Sequence, residues 1–78
     1  MSTSPAVLTG ANIRAEMARR KVSQTTIANH LGLSQTSVSA RLAGRVTFDI
    51  NEIHAIAALL CVPIAALLPS EDATQVAS

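Results

Sequence analysis

Apolar residues recur along this chain at intervals of three and four, the spacing that places side chains on one face of an α-helix. Three such pairs stand in the first half of the chain: Ile13 and Met17, Ile27 and Leu31, Val38 and Leu42. A longer stripe with helical spacing follows: Ile50, Ile53, Ile56, Ala57 and Leu60. The pattern predicts an all-α domain with five helices, the last a short one over residues 64–68.

Small polar residues precede the first four predicted helices, and their side-chain oxygens suit the N-cap position. These N-cap candidates are Thr9, Ser23, Ser34 and Asp49. The first three predicted helices span residues 9–20, 24–31 and 35–43, and the fourth follows Asp49. Gly32 and Gly44 follow the second and third helices, where a left-handed residue is common. Pro63 suits the first turn of the fifth helix, which Pro69 ends. We therefore expect a flexible lead over residues 1–8, one domain over 9–69 and a flexible tail over 70–78.

The second and third predicted helices are joined by a three-residue turn around Gly32, so they must cross at a steep angle. Ala28 is small enough to let the two helices pack closely. Five apolar residues would form the seam between them: Ile27, Leu31, Leu33, Val38 and Leu42. This arrangement predicts a helix-turn-helix at about residues 24–43.

The outward face of the third helix is short, neutral and rich in hydrogen-bonding groups. At about 100° per residue, Thr36, Ala40 and Ala43 lie opposite the apolar seam, with Ser37 and Ser39 on the flanks. Gln35 projects from the helix N-terminus. In a DNA major groove, glutamine can pair with adenine, and threonine or alanine can touch a thymine methyl group. An ordinary solvated face commonly carries Glu and Lys, and this one has neither, so the pattern favours a major-groove surface.

The charged residues are distributed unevenly, although the formal net charge is only +1. Residues 1–45 hold all the basic side chains and a single acid, Glu16. The basic residues are Arg14, Arg19, Arg20, Lys21, Arg41 and Arg45. Residues 46–78 hold four acids and no Lys or Arg. The asymmetry favours contact between the first half and a polyanion, with chance clustering on a solvated surface as the alternative.

No catalytic or metal-binding pattern is visible, so we expect neither an enzyme nor a bound cofactor or metal. His30 and His54 lack a second ligand at metal-binding spacing, and there is no glycine-rich phosphate loop. Cys61 is the single cysteine, which excludes an intrachain disulfide and is typical of a reducing compartment. We expect Cys61 to be a small buried hydrophobe.

Two further patterns bear on membranes and export. Residues 53–68 form an apolar run that includes His54 and Pro63. The run is shorter than the roughly 18–20 residues needed to span a bilayer, so two core helices explain it better than a membrane segment. Met1–Pro5 lacks the features of a signal peptide, and we expect the chain to lie in the cytoplasm of a bacterial host.

Two stretches carry a resemblance to a known family. SQTTIANHLGLSQTSVSARLAG, residues 23–44, resembles the helix-turn-helix of the Cro/lambda-repressor class, also called Xre-like regulators. DINEIHAIAALLCVPIAALL, residues 49–68, is similar to that family's fourth helix, which ends in Ile-Ala-x-x-Leu-x-Val, and to its short fifth helix. The resemblance covers residues 9–68 and implies a five-helix lambda-repressor-like DNA-binding domain, closest in size to a stand-alone phage Cro-type regulator.

The resemblance also implies roles for individual residues. The base-reading candidates are Gln35, Thr36, Ser37, Ser39 and Ala40. The phosphate-contacting candidates are Ser23, Gln24, Arg41, Arg45, Arg19, Arg20 and Lys21. The chain departs from the family at two positions. Arg41 stands where an apolar residue is common, which leaves the rotation of the third helix open, and Cys61 stands where many members have glycine.

The expected function is sequence-specific binding of double-stranded DNA by a phage or prophage Cro-like repressor that acts by occupying its operator. An antitoxin or another phage or plasmid accessory factor is an alternative, and so is a protein–protein adaptor that kept the fold. We expect a homodimer on DNA, built on the fifth helix (Ile64, Leu67, Leu68) and the tail, although the same residues could complete the core of a monomer.

Overall fold

The computed structural model describes residues 4–69, which form four α-helices followed by one 3₁₀ turn. The helices are α1 (Pro5–Arg20), α2 (Gln24–Leu31), α3 (Gln35–Leu42) and α4 (Ile50–Leu60), and the 3₁₀ turn is Ile64–Ala66. The described part contains no strand, as the all-α prediction requires. The predicted fifth helix over residues 64–68 is not confirmed, because this segment forms only the 3₁₀ turn, which Leu67 ends. Pro69 disfavours helical geometry at Leu68, the residue before it.

The first helix begins four residues before the predicted N-cap. Ser4 is the true N-cap, since its Oγ accepts a hydrogen bond from Val7 N at 3.2 Å, and Pro5 occupies the first helical position. Thr9, the predicted cap, is a buried residue inside α1. Residues 5–8 of the predicted flexible lead are therefore helical. Residues 1–3 and the predicted tail, 70–78, lie outside the described residues.

The capping predictions for the next three helices are confirmed. Ser23, Ser34 and Asp49 each accept a hydrogen bond from a backbone amide three residues later. Gly32 ends α2 in the left-handed region, at φ 70°. Helix α3 ends at Leu42, one residue before the predicted end, and Ala43 is its C-cap.

The core lies where all four helices and the 3₁₀ turn meet. Its buried apolar residues are Ile13, Met17, Ile27, Ala28, Val38, Leu42, Phe48, Ile53, Ile56, Ala57, Leu60 and Leu67. Ile50, predicted on the same stripe of the fourth helix, is 56% exposed. It is the first residue of α4, so it lies at the edge of the core rather than over it. Among the described residues, no helix has the length and apolar character needed to cross a membrane.

Cys61 is exposed, so the prediction that it is buried is wrong. It is the C-cap of α4 and adopts a left-handed conformation, with φ 58°. Glycine is the usual residue in this conformation, because any other side chain there costs roughly 1–2 kcal/mol. The turn keeps the geometry of a glycine C-cap and turns the thiol outward.

Two contacts fix α1 against the rest of the domain. Gly10 lies against the end of α3 so closely that an added Cβ would be 2.2 Å from the carbonyl oxygen of Leu42. Asn12 Nδ2 donates to the carbonyl oxygens of Leu67 and Leu68, at 3.3 and 3.1 Å. α1 therefore holds both α3 and the C-terminal 3₁₀ segment in place.

Candidate nucleic-acid interface

The predicted helix-turn-helix is formed by α2, the turn 32–34 and α3. Ile27 and Val38 are completely buried between the helices. The turn is closed by Leu33 N donating to Ala28 O at 2.9 Å. The sequence left open how α3 is rotated about its axis. In the structure Val38 and Leu42 are buried in the core, and Gln35 and Thr36 are exposed on the outer side of α3.

A shallow depression lies between the beginning of α2 and the outward face of α3. Its volume is about 270 Å³. Five residues line it: Gln24, Gln35, Thr36, Ser39 and Arg45. All five are DNA contacts predicted from the sequence, and the fold brings them together from two helices and the loop after α3. All five lining residues are polar or charged, and one of them, Arg45, is a cation.

Neighbouring residues of α3 have different surroundings. Ala40 is partly buried beside the exposed face. Ser37 is also partly buried, and its hydroxyl accepts a hydrogen bond from Ser34 Oγ at 3.1 Å. Ser23, at the start of α2, accepts from Thr26 N at 3.1 Å and lies 3.0 Å from Thr26 Oγ1. The hydroxyl of Ser23 thus caps α2, and the hydroxyl of Ser37 accepts from the N-cap residue of α3. Gln35 and Thr36 form no hydrogen bond through their side chains in the described part of the chain.

The basic residues fall into three different settings. Arg45 is exposed beside the depression, and no described carboxylate forms an ion pair with it. Arg19 and Arg20 lie at the exposed end of α1 and share Glu16, with N–O distances of 2.7 and 3.4 Å. Lys21 is the C-cap of α1, at φ 57°. The cations at the end of α1 do not line the depression.

Arg41 is directed away from the depression and toward α4. Its Nε donates to Glu52 Oε1 at 3.1 Å, and its Nη1 donates to Ser37 O at 3.3 Å. The side chains of Arg41 and Glu52 are only 19% and 17% exposed. The structure therefore does not place Arg41 with Gln24 and Arg45 at the depression.

Glu52 is not among the functional residues predicted from the sequence. Its spacing from Asp49 is that of a capping box, and the structure contains both hydrogen bonds of this motif. That signal was available in the sequence. The pairing of Glu52 with Arg41 was not, because the two residues lie on different helices.

The described residues contain no group of His, Cys, Asp or Glu side chains that could hold a metal ion. His30 and His54 are both exposed. Every buried side-chain nitrogen or oxygen in the described region has a hydrogen-bond partner, so the interior there offers no unpaired polar group to a ligand.

Comparisons with known proteins agree with this architecture. A family model described as a helix-turn-helix domain matches residues 9–69. The chain is similar to the crystal structure of the hypothetical transcription factor NHTF from Neisseria, with 27% sequence identity and a TM-score of 0.74. That likeness covers 94% of this chain and 85% of the other. No curated protein matches the sequence significantly. The family match covers most of the chain, and the chain belongs to the helix-turn-helix family of DNA-binding domains.

Proposed function

We propose that this protein regulates transcription by binding a specific double-stranded DNA site, with α3 lying in the major groove. The observation that carries the proposal is the polar depression formed by Gln24, Gln35, Thr36, Ser39 and Arg45. It lies where a helix-turn-helix presents its second helix to DNA. The similar Neisseria structure is itself described as a hypothetical transcription factor.

The base-reading residues are on the outward face of α3. Gln35 is exposed at the first position of α3, where its amide can donate and accept toward one adenine. Thr36 and Ala40 offer methyl groups to thymine, and Ser39 offers a hydroxyl. Ser37, also proposed from the sequence, has a smaller part because its hydroxyl already bonds Ser34.

The proposed phosphate contacts come from the start of α2, the loop after α3 and the end of α1. Ser23 and Gln24 stand at the N-terminus of α2, where backbone amides and the helix dipole favour an anion. Arg45, in the loop after α3, lines the same depression. Arg19, Arg20 and Lys21 add positive charge farther from the depression, at the end of α1. These cations supply the salt-dependent, sequence-independent part of the affinity.

The regulator acts as a Cro-like repressor of phage or prophage type, by occupancy: the bound domain excludes other proteins from the site. We further propose that it binds as a homodimer, since two copies raise affinity and read a two-fold symmetric site. Leu67 is completely buried in the core of the single chain, so it is removed from the expected dimer surface. Ile64 and Leu68 are only partly buried and keep that role.

Two substitutions test the assignment of readers and phosphate contacts. Gln35→Ala is expected to relax base preference at one position of the site, by a discrimination of about 1–3 kcal/mol. Arg45→Ala is expected to weaken binding to every duplex and to reduce the salt slope by about one unit. Fluorescence anisotropy with matched and mismatched duplexes at several salt concentrations measures both effects.

Matched controls come from exposed residues away from the depression. Asn29→Ala removes an exposed amide from α2, and Arg14→Ala removes an exposed guanidinium from α1. Both are expected to leave base preference unchanged. If Gln35→Ala changes the preference no more than Asn29→Ala does, Gln35 is not a base-reading residue.

A further inference from the structure

We propose that Arg41 and Glu52 form a positioning pair that fixes how α3 enters the groove, and that Arg41 does not contact phosphate. This inference rests on the proposed function, because it concerns how the same helix meets DNA. It differs from the role that the family resemblance implies for Arg41. It is carried by one carboxylate oxygen that joins the end of α3 to the start of α4.

Glu52 Oε1 accepts two hydrogen bonds at once. Asp49 N donates to it at 3.1 Å, and Arg41 Nε donates to it at 3.1 Å. Asp49 Oδ1 in turn accepts from Glu52 N at 2.7 Å. The capping box therefore holds the Glu52 carboxylate in one orientation, and Arg41 binds a group that is already fixed.

On the α3 side, Arg41 is tied to its own helix as well. Its Nη1 donates to Ser37 O at 3.3 Å, one turn earlier and close to the reading residues. α3 packs chiefly on α1 and α2, and its backbone makes little direct contact with α4. Arg41 and Glu52 thus link the first half of α3, which carries Gln35 and Thr36, directly to α4.

This pair differs from an ordinary surface ion pair. Exposed pairs contribute little because solvent screens them and both side chains lose rotamer freedom. Here the Arg41 and Glu52 side chains are 19% and 17% exposed, and salt screens partly buried pairs less. Arg45 is the contrast, an exposed cation with no described carboxylate paired to it.

Removing Arg41 is expected to leave the salt slope unchanged but to lower the discrimination between duplexes. Because Glu52 neutralises Arg41, removing Arg41 leaves the number of phosphate contacts unchanged, so the salt slope stays as in the parent protein. Because α3 then loses its link to α4, the reading residues shift, and discrimination between specific and shuffled duplexes falls. A loss of about fivefold or more is expected, the low end of what one base contact supplies.

Glu52→Gln is expected to change the salt slope, which Arg41→Ala leaves unchanged. Glutamine also serves at this position of a capping box, so α4 keeps its cap while the negative charge is lost. The released Arg41 charge then becomes available to phosphate. Affinity for shuffled duplexes is expected to rise, the salt slope to increase by up to about one unit, and discrimination to fall.

The experiment measures dissociation constants of the full chain for two duplexes across a salt series. One duplex is the sequence enriched from a randomised library, and the other is a shuffled sequence of the same composition. The proteins are the parent, Arg41→Ala, Arg41→Lys, Glu52→Gln, Arg45→Ala and Arg14→Ala. Circular dichroism at the assay temperature confirms that each variant is folded. Arg41→Lys keeps a charged partner for Glu52, so it is expected to retain part of the discrimination that Arg41→Ala loses.

The outcomes separate this proposal from the proposed function. An unchanged slope with lost discrimination in Arg41→Ala, and an increased slope in Glu52→Gln, support the positioning pair. If Arg41→Ala lowers the slope by about one unit, as Arg45→Ala should, Arg41 is a phosphate contact and the pair proposal is overturned. If no duplex is enriched and Arg45→Ala changes nothing, the proposed function itself fails.

Discussion

Replacing Gly10 by alanine is expected to force α1 away from the end of α3. The added Cβ would lie 2.2 Å from Leu42 O, 2.8 Å from Leu42 C and 3.2 Å from Arg41 O. Ordinary van der Waals contact begins at 3.4 Å, so the two backbones must separate by about 1.2 Å. No side-chain rotation relieves this contact, because all three opposing atoms belong to the backbone.

Two terms of opposite sign set the magnitude. Alanine is favoured over glycine inside a helix by about 1 kcal/mol. Overpacking of a close contact costs about 1–3 kcal/mol. A clash with backbone atoms is expected to cost an amount at the upper end of that range, because the backbone cannot move aside as a side chain can. The expected net loss in the free energy of unfolding is about 2 kcal/mol. For a domain of this size, that corresponds to a fall in Tm of about 8–16 °C.

Thermal and urea unfolding followed by circular dichroism measure this loss, and two controls separate its causes. Ala15→Gly, at an exposed position of α1, reports the helix-propensity term and should cost about 1 kcal/mol. Gly32→Ala reports the cost of a left-handed residue alone, about 1–2 kcal/mol, since no atom lies within 4 Å of the added Cβ. A Gly10→Ala variant as stable as the parent protein would refute the close approach of α1 and α3.

Substitutions at three further positions test the caps and the C-terminal segment by urea unfolding. Cys61→Gly should raise the free energy of unfolding by about 1 kcal/mol, because glycine adopts the observed φ of 58° without a Cβ penalty; a loss of stability would show that the thiol packs usefully. Asn12→Ala should cost about 1–3 kcal/mol, because the carbonyls of Leu67 and Leu68 lose their donor; an unchanged midpoint would mean that water replaces the amide. Asp49→Ala should cost about 1 kcal/mol and Asp49→Ser much less, whereas equal losses would argue against capping.

Much of the fold follows from local chemistry that is visible in the sequence. Ser23, Ser34 and Asp49 cap helices where the apolar period predicts them, and Gly32 supplies the left-handed turn. The same period places Val38 in the core and leaves Gln35 and Thr36 exposed. The depression could be predicted for this reason, since its residues lie on the two helices joined by the turn at Gly32 and in the loop that follows them.

The structure differs from the sequence predictions where tertiary contacts decide between local alternatives. Ser4 and Thr9 both have N-cap chemistry, and the burial of Thr9 in the interior settles the start of α1. Ile50 has the core period but lies at the end of its helix, beyond the packed surface. Arg41 and Glu52 are eleven positions apart, so no pattern within one helix reveals that they pair.

Selection of bound duplexes from a randomised DNA library near physiological salt tests the central claim most directly. The account predicts an enriched two-fold symmetric sequence, with the half-site spacing of a dimer. An enriched asymmetric site would contradict the homodimer and leave DNA reading in place. No enrichment, together with no binding at low salt, would contradict DNA recognition by this domain and favour a protein–protein adaptor.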